Sequence, residues 1–337
     1  MFHVKHWCSI LRSLFHVKHP VSSLPFVSRE TQQGKNPMIQ NYTISARAIQ
    51  FSTTEAYMRI GLIADIHSNI IALEAVLRDM KKHRPDLIIS LGDQINLGPC
   101  PRETLDLLKA NDVLCLHGNH ERYILSAMDD HPGYRGANFN GLRFNAALLS
   151  REEITLPETH EIDGITFCHA IPGDDRFPVY DPKQAIPKLL EMQFNHPMHI
   201  ICGHGHNPTN ISLPNLTLQS IGSCGCMDDG VPGTAPYAIL TTDRGCAALQ
   251  PYYASYDIAH VKPKFIESGL AAACPVMAHI ACIQMTTNTD VIVPFVARAN
   301  SMSKTHGEEF ITQATWEEAD RTYNWPDGMR SVQFWKT

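Results

Sequence analysis

Short apolar runs alternate with amphipathic stretches in one part of the chain. Residues 59–64, 86–91 and 113–116 are short and apolar, which is typical of buried strands. Between them, residues 70–82 and 102–110 place apolar side chains at helical spacing. Strands that alternate with helices in this way predict a parallel sheet with right-handed crossovers.

The pattern that follows is richer in strands. Residues 121–155 are predicted to be helical, with a break at Pro132-Gly133. Short apolar runs bounded by glycine, proline or asparagine come next, and beyond residue 256 the pattern becomes helical again at 258–268 and 315–323. The whole pattern predicts an α/β fold in which two packed β-sheets are flanked by helices, with a C-terminal mostly helical extension. The later predicted strands are residues 162–168, 199–202, 216–221, 237–241 and 247–252.

The first 57 residues lack this periodicity. The pentapeptide FHVKH at residues 2–6 recurs at 15–19, and back-translation of each copy gives a DNA palindrome that resembles a centromere-like site of bacterial chromosome partitioning. We therefore expect a bacterial sequence whose leader is upstream DNA read as protein, with translation beginning at Met58. A targeting peptide and a disordered arm are the alternatives. The expected divisions of the chain are residues 1–57, 58–256 and 257–337.

Composition and charge narrow the class of protein. The 337-residue chain is 44% hydrophobic and carries a formal net charge of −6, so it can bury a substantial core but has no basic footprint for nucleic acid. No apolar run is long enough to span a bilayer, so no membrane partner is expected. Scattered cysteines within apparent strands are typical of buried thiols in a reducing compartment, which predicts a cytoplasmic protein. The close pair Cys224-Gly225-Cys226 is a weak zinc signal, and a glycine turn is expected there.

Polar signatures stand where the predicted strands end. Because the carboxyl ends of parallel strands meet at one edge of a sheet, we expect these side chains to share a cleft. Taken singly, each has a structural interpretation, such as a strand-end histidine or a turn cap. Their joint occurrence favours a shared site. The signatures are Asp65-Ile66-His67, Gly92-Asp93, Gly118-Asn119-His120-Glu121, His169 and Gly203-His204-Gly205-His206.

These residue types suit a pair of metal ions. A dinuclear centre needs a shared ligand, private ligands on each ion, and open positions for substrate and water. A carboxylate is the natural bridge, and imidazole suits manganese, iron, zinc or nickel. Residues i and i+2 of an extended segment share a face, so Asp65 and His67 can point the same way, as can His204 and His206. The sequence therefore predicts a hydrolytic centre with two divalent metal ions.

The ordered motifs D-x-H, G-D, G-N-H-E, H and G-H-x-H resemble those of the calcineurin-like metallophosphoesterase superfamily. The resemblance runs from Met58 to about Tyr256. It implies a dinuclear-metal phosphodiesterase or phosphatase in which a metal-bridging hydroxide attacks phosphorus. Manganese is the expected metal, with iron, zinc or nickel as alternatives.

The resemblance also implies a role for each polar residue. Asp93 would bridge the two ions, whereas His120 would bind no metal and would instead contact the phosphoryl oxygen and help to protonate the leaving group. The remaining ligands would divide into two sets. One ion would be held by Asp65, His67 and His206, and the other by Asn119, His169 and His204.

The second motif points to a class of substrate. Phosphoprotein phosphatases of this superfamily extend it to G-D-x-V-D-R-G, where the second Asp orients the catalytic His and the Arg holds phosphate. This chain has Asn96 and Leu97 at those places, so a phosphoprotein substrate is not expected. The run at residues 92–101 resembles the small bacterial phosphodiesterase group, which includes relatives like diadenosine tetraphosphate hydrolases. We therefore expect a small phosphodiester or a nucleotide, and His120 leaves a monoester open.

Two other functions remain open at this point. A non-catalytic protein-binding module could use the same scaffold, and a DNA exonuclease could use the same metals, although the charge balance disfavours it. Arg102 and Arg122 lie beside the site motifs, where they are candidates to hold a second phosphate or are solvated surface residues.

Overall fold

The computed structural model describes residues 57–192, 194–243, 246–325, 329 and 334–335. The predicted leader, apart from Tyr57, lies outside these residues. Within them, no helix has the length and apolar character needed to cross a membrane. The strands are β1 (Met58–Ile63), β2 (Leu87–Ser90), β3 (Leu114–Cys115), β4 (Thr159–Ile162), β5 (Ile165–Cys168), β6 (Met198–Cys202), β7 (Thr209–Leu213), β8 (Leu216–Ser220), β9 (Thr234–Asp243) and β10 (Cys246–Ser255).

Helices connect and flank these strands. Short 3-10 turns at Lys81–His83, Pro132–Tyr134, Ala137–Phe139 and Ile258–His260 add to them. The α-helices are α1 (Ile70–Met80), α2 (Pro101–Ala110), α3 (Asn119–Met128), α4 (Asn140–Ala146), α5 (Arg151–Ile154), α6 (Pro182–Glu191), α7 (Val261–Glu267), α8 (Leu270–Ala273), α9 (Pro275–Thr287), α10 (Ile292–Thr305) and α11 (Gln313–Thr322).

The strands form two five-stranded mixed sheets. The first has the order β10-β9-β1-β2-β3, in which β1, β2 and β3 are parallel and β9 runs antiparallel to β1. The second has the order β4-β5-β6-β8-β7, with a parallel centre made by β5, β6 and β8. The predicted fold of two packed sheets with flanking helices is therefore confirmed.

Apolar side chains from both sheets fill the space between them. Leu62 of β1 and Ile89 of β2 pack in one buried cluster with Phe167 of β5 and Ile201 of β6. Alternate residues of a strand point to opposite faces, so Ile63 turns outward and packs in the cluster under α1. The first sheet is thus covered on both faces, which is why its central strands β1 and β2 are largely apolar.

One predicted strand is wrong in detail. The run 162–168 is a hairpin of β4 and β5, not a single strand, and Asp163-Gly164 forms its turn. Both turn residues have positive φ, 51° and 72°, which is the geometry that favours Asp-Gly in two-residue hairpins. The pattern also gave no signal for α6 or β7.

The C-terminal helices have a core of their own and meet the site loops. Trp316 of α11 packs edge-on against Phe295 of α10, with ring centroids 4.9 Å apart. The hydroxyl of Tyr256 donates a hydrogen bond to the carbonyl of Met285 in α9 at 2.8 Å. A Cβ on Gly98 would lie 3.0 Å from the Met285 side chain, so α9 lies against the loop that follows β2. The predicted extension is mostly helical, and its boundary at residue 257 stays a prediction.

Candidate metal centre

The loops after β1 and β2 place carboxylate and imidazole side chains at the ends of neighbouring strands. Asp65, His67 and Asp93 all have left-handed backbone conformations, with φ between 51° and 54°. Such φ values are unfavourable for residues other than glycine and persist where the surroundings enforce them. Here the amide of Asp65 donates to the carbonyl of Gly92 at 3.1 Å, and the amide of His67 donates to that of Asp93 at 3.0 Å. The two loops therefore hold each other in this conformation.

Asp65, His67 and His206 form the first cluster. One potential ligand atom from each lies within 4.8 Å of the others. Asp65 and His67 are buried, yet Oδ1 of Asp65 and both ring nitrogens of His67 have no hydrogen-bond partner. Buried polar groups are normally paired, because leaving them unpaired is costly. A carboxylate and two imidazoles with free lone pairs fit a divalent cation.

Asp93, His169 and His204 form the second cluster, within the same 4.8 Å limit. Nε2 of His169 lies 2.9 Å from Oδ1 of Asn119, so the amide of Asn119 joins this group. Nδ1 of the same ring lies 2.9 Å from the carbonyl of Leu91. A histidine that donates Nδ1–H to a carbonyl presents Nε2 as a ligand, which is the usual arrangement in metal sites.

Asp93 lies between the two clusters. Its Oδ2 is 3.3 Å from Nε2 of His169 and 3.8 Å from Nε2 of His120. Its ligand atoms also fall within 4.8 Å of those of His67, which belongs to the first cluster. A carboxylate in this position can share its two oxygens between two cations.

His120 approaches the centre from the first turn of α3. Its backbone N–H donates to Oδ1 of Asp93 at 2.8 Å, and 17% of its side chain is exposed. The amide nitrogen of Asn96 lies 2.8 Å from Nδ1 of the ring. The Nε2 edge of His120 is thereby directed toward Asp93 and the space above the clusters.

Glu121 holds the loops that carry these groups. Its Oε2 accepts hydrogen bonds from the amides of Asp93 and Gly118, each at 2.9 Å, and its Oε1 accepts one from the amide of Gln94 at 3.0 Å. The side chain is fully buried. One carboxylate thus connects the loop after β2 with the start of α3.

Glycines in the motifs leave room for the carboxylates. A Cβ on Gly118 would lie 2.3 Å from Oδ1 of Asp93, and one on Gly203 would lie 2.7 Å from Oδ2 of Asp65. Real Cβ atoms do not approach other atoms so closely. The motif glycines are therefore required by contact between backbone and carboxylate, not only by turn geometry.

Burial and mutual charge shift the pKa values at the centre. Burial raises the pKa of Asp65 to about 8, against the opposing charge of His169. Although burial favours a neutral ring, the Asp93 carboxylate raises the pKa of His169 to about 10. Burial of Asp93 is outweighed by His169 and His120, which hold its pKa well below the usual range. The metal-free centre therefore retains protons that a bound cation would replace.

The sequence motifs converge in space, but the two candidate arginines differ. Arg102 pairs with Glu153 and the carbonyl of Leu148, away from the clusters. Arg122 pairs with Asp175 through Nε and Nη2 at 2.7 and 2.8 Å. This pair lines a cavity of about 370 Å³ that also borders His169.

Sequence reasoning did not assign a role to Glu121 and did not consider Tyr180. The Tyr180 ring lies 5.8 Å from the His204 ring, between centroids. A lone tyrosine in a loop carries no sequence signal, since only the fold brings it to a histidine 24 residues away. Cys224 and Cys226, in contrast, are buried thiols and belong to none of the potential metal clusters in the described part of the chain.

Comparisons with known proteins agree with this geometry. The family model described as calcineurin-like phosphoesterase matches residues 58–221. An uncharacterized protein from Methanocaldococcus jannaschii is 27% identical over 63% of this chain and 93% of its own. The crystal structure of a metallophosphoesterase from Sphaerobacter thermophilus is 27% identical, with a TM-score of 0.50 over 63% of this chain and 95% of that chain. A hypothetical protein from Pyrococcus horikoshii OT3, 15% identical, shares the fold with a TM-score of 0.52 over 68% of this chain and 98% of that chain.

Proposed function

We propose that this chain, which belongs to the calcineurin-like phosphoesterase family, is a metal-dependent hydrolase of small phosphodiester or nucleotide substrates. The observation that carries the proposal is the pair of buried clusters with Asp93 between them, in which Asp65 and His67 present unpartnered ligand atoms. Orphaned buried groups of this chemistry are explained by bound cations.

The proposed ligands follow the two clusters. Asp65, His67 and His206 would hold one ion, and Asn119, His169 and His204 the other, with Asp93 shared. His120 also lies within 4.8 Å of His67 and Asp93, but its Nδ1 is engaged by Asn96. We assign it to the substrate and not to a metal. The mixed imidazole and carboxylate set suits manganese, and iron, zinc or nickel fit the same donors.

Two divalent ions bound here would supply Lewis acidity to the phosphoryl group and lower the pKa of a bound water. The residues of the chain contribute the orientation of the groups that contact the substrate. Nε2 of His120, held by the contact of Nδ1 with Asn96, faces the space where a phosphoryl oxygen would lie. From there it can donate a hydrogen bond to that oxygen or to the leaving oxygen as negative charge develops on it.

The proposed substrate is small. Asn96 occupies the place of the carboxylate that phosphoprotein phosphatases use, and its amide pairs with His120. The cavity beside His169 is lined by both arginines and carboxylates, among them Arg176 and Glu158, so it suits the polar groups of a small leaving group. We also propose a cytoplasmic location, which the buried free thiols Cys168 and Cys202 support.

The test is hydrolysis of bis-p-nitrophenyl phosphate by the full chain with added manganese, together with metal analysis. The Asp93→Asn variant should lose metal and activity together, because the shared ligand is weakened. His120→Ala should keep its metal while turnover falls by about 100-fold or more. His260→Ala, an exposed residue paired with Asp257, is the control and should match the wild type.

The outcomes separate the alternatives. A metal-loaded chain that hydrolyses no phosphoester would support a protein-binding module, and release of nucleotides from DNA oligomers would support an exonuclease. An Asp93→Asn variant with the metal content and rate of the wild type would overturn the shared-ligand assignment.

A further inference from the structure

Tyr180 forms an exposed aromatic surface next to the second cluster. Its ring meets that of His204 edge-on, at an interplanar angle of 62°, and 40% of the residue is exposed. A tyrosine ring combines an apolar face with a polar tip, which suits it to contacts with a planar ligand. This one lies one side chain away from the proposed phosphoryl site.

The loop that carries Tyr180 is anchored on both sides. Val179 and Phe177 are buried in the cluster on the outer face of the second sheet. Asp181 then begins α6, where its side chain accepts a hydrogen bond from the amide of Lys183 at 3.0 Å. Tyr180 therefore has a position fixed by its neighbours on both sides, and its exposure does not result from a loose loop.

A second contact fixes the same loop to the site. The bidentate pair of Asp175 with Arg122 joins the loop to α3, the helix that carries Asn119 and His120. Bidentate arginine–carboxylate pairs combine hydrogen bonding with defined geometry. The loop that carries Tyr180 is thus tied to the helix that carries His120, and the Tyr180 ring contacts His204 of the second cluster.

We propose that Tyr180 is a specificity-determining residue that stacks on a planar aromatic group of the substrate, namely the base of a nucleoside phosphodiester. This inference rests on the proposed function and names the substrate class of the same site. The ring contacts His204 at a steep interplanar angle and is still 40% exposed, which leaves ring surface for a partner. Bases stack on aromatic side chains with little dependence on their sequence identity, because every base has a π-face.

The chemistry of the neighbouring groups favours a nucleoside over a simple alkyl ester. In a nucleoside ester the base is separated from phosphorus by the sugar, so a phosphoryl group between the clusters would place it beyond the ligand imidazoles. Tyr180 borders one of these imidazoles, with its ring 5.8 Å from that of His204. An alkyl group has no π-face and would gain little from the exposed ring.

The experiment compares two diesters that share one leaving group, thymidine 5′-p-nitrophenyl phosphate and methyl p-nitrophenyl phosphate, with the manganese-loaded full chain. In Tyr180→Ala we expect the thymidine-to-methyl ratio of kcat/KM to fall by about tenfold, through KM. Tyr180→Phe should restore the ratio, because it keeps the ring. Tyr253→Ala, in which a tyrosine of β10 with 51% exposure is removed, is the control and should keep the wild-type ratio.

Binding and metal content supply readouts apart from turnover. The dissociation constant of thymidine 5′-monophosphate, measured by calorimetry, should rise in Tyr180→Ala and return in Tyr180→Phe. Metal content should equal that of the wild type in both variants.

An unchanged substrate ratio together with unchanged nucleotide affinity would overturn the inference. An equal loss of kcat/KM on both diesters, accompanied by loss of metal, would also overturn it, because Tyr180 would then only support His204. Hydrolysis of neither diester by the wild type would count against the proposed function instead. Nucleotide binding would then still decide the role of Tyr180.

Discussion

The side-chain amide of Asn96 lies 2.8 Å from Nδ1 of His120. With the amide nitrogen toward the ring, Asn96 donates and Nδ1 accepts, so the ring proton resides on Nε2. That is the edge which faces Asp93 and the proposed phosphoryl site. Asn96 has a left-handed backbone, with φ at 73°, a conformation that asparagine tolerates better than most residues. The backbone thus carries the amide to the His120 ring.

Removal of this amide should slow turnover without loss of metal. In Asn96→Ala we expect kcat to fall by about tenfold, since one hydrogen bond that orients the ring is lost. Steady-state kinetics on bis-p-nitrophenyl phosphate, with metal content measured on the same sample, checks this. Asn111→Ala, which loses a surface amide that bonds only the carbonyl of Leu107 in α2, is the control. A wild-type rate in Asn96→Ala would contradict the role.

Glu121→Gln should weaken metal binding. The carboxylate accepts three backbone hydrogen bonds, and a glutamine would turn an N–H toward at least one of those donors. We expect about a 10- to 100-fold loss of manganese affinity, as for other groups that orient ligands. Calorimetric titration measures it. Glu153→Gln, at the exposed start of α5, provides the matched control. Equal affinities in the two variants would show that Glu121 does not position Asp93.

Gly118→Ala should disrupt the shared ligand. The added Cβ would meet Oδ1 of Asp93 at 2.3 Å and its amide at 2.4 Å, so the carboxylate must move. Metal content after dialysis should drop well below that of the wild type. In Gly136→Ala the one contact below 3 Å is with the side-chain tip of Asn138, at 2.5 Å, and this variant should retain full metal content. A Gly118→Ala variant with full occupancy would mean that Asp93 binds from another position.

Metal affinity should rise with pH. In the metal-free chain, Asp65 with a pKa of about 8 and His169 with one of about 10 both hold protons at neutral pH. A cation must displace these protons, so binding is weakest where both groups are protonated and strengthens as pH rises through about 8. Calorimetry in buffers of different ionisation enthalpy should show net proton release at pH 7. Affinity that is constant from pH 6 to 9 would contradict this picture.

The apolar pattern predicted the parallel strands of the first sheet because these strands are buried on both faces. The apolar runs that form β1 and β2 are recognisable from the sequence alone. The helices between the strands, such as α1, bury one regular stripe of apolar side chains. The prediction was wrong at residues 162–168, where the turn at Asp163-Gly164 separates Ile162, the last residue of β4, from β5. There the local turn chemistry outweighed the apolar pattern.

The order of motifs determined, without coordinates, which side chains should gather at one edge of the sheets. That was possible because each follows a strand of a parallel core, and strand ends are read from the chain itself. The contacts of Asn96, Glu121 and Tyr180 were decided only by the tertiary structure. Each contacts a group from a different segment, His120, Asp93 and His204 respectively. Such contacts depend on how two sheets and their loops pack, and no local pattern of residues encodes that packing.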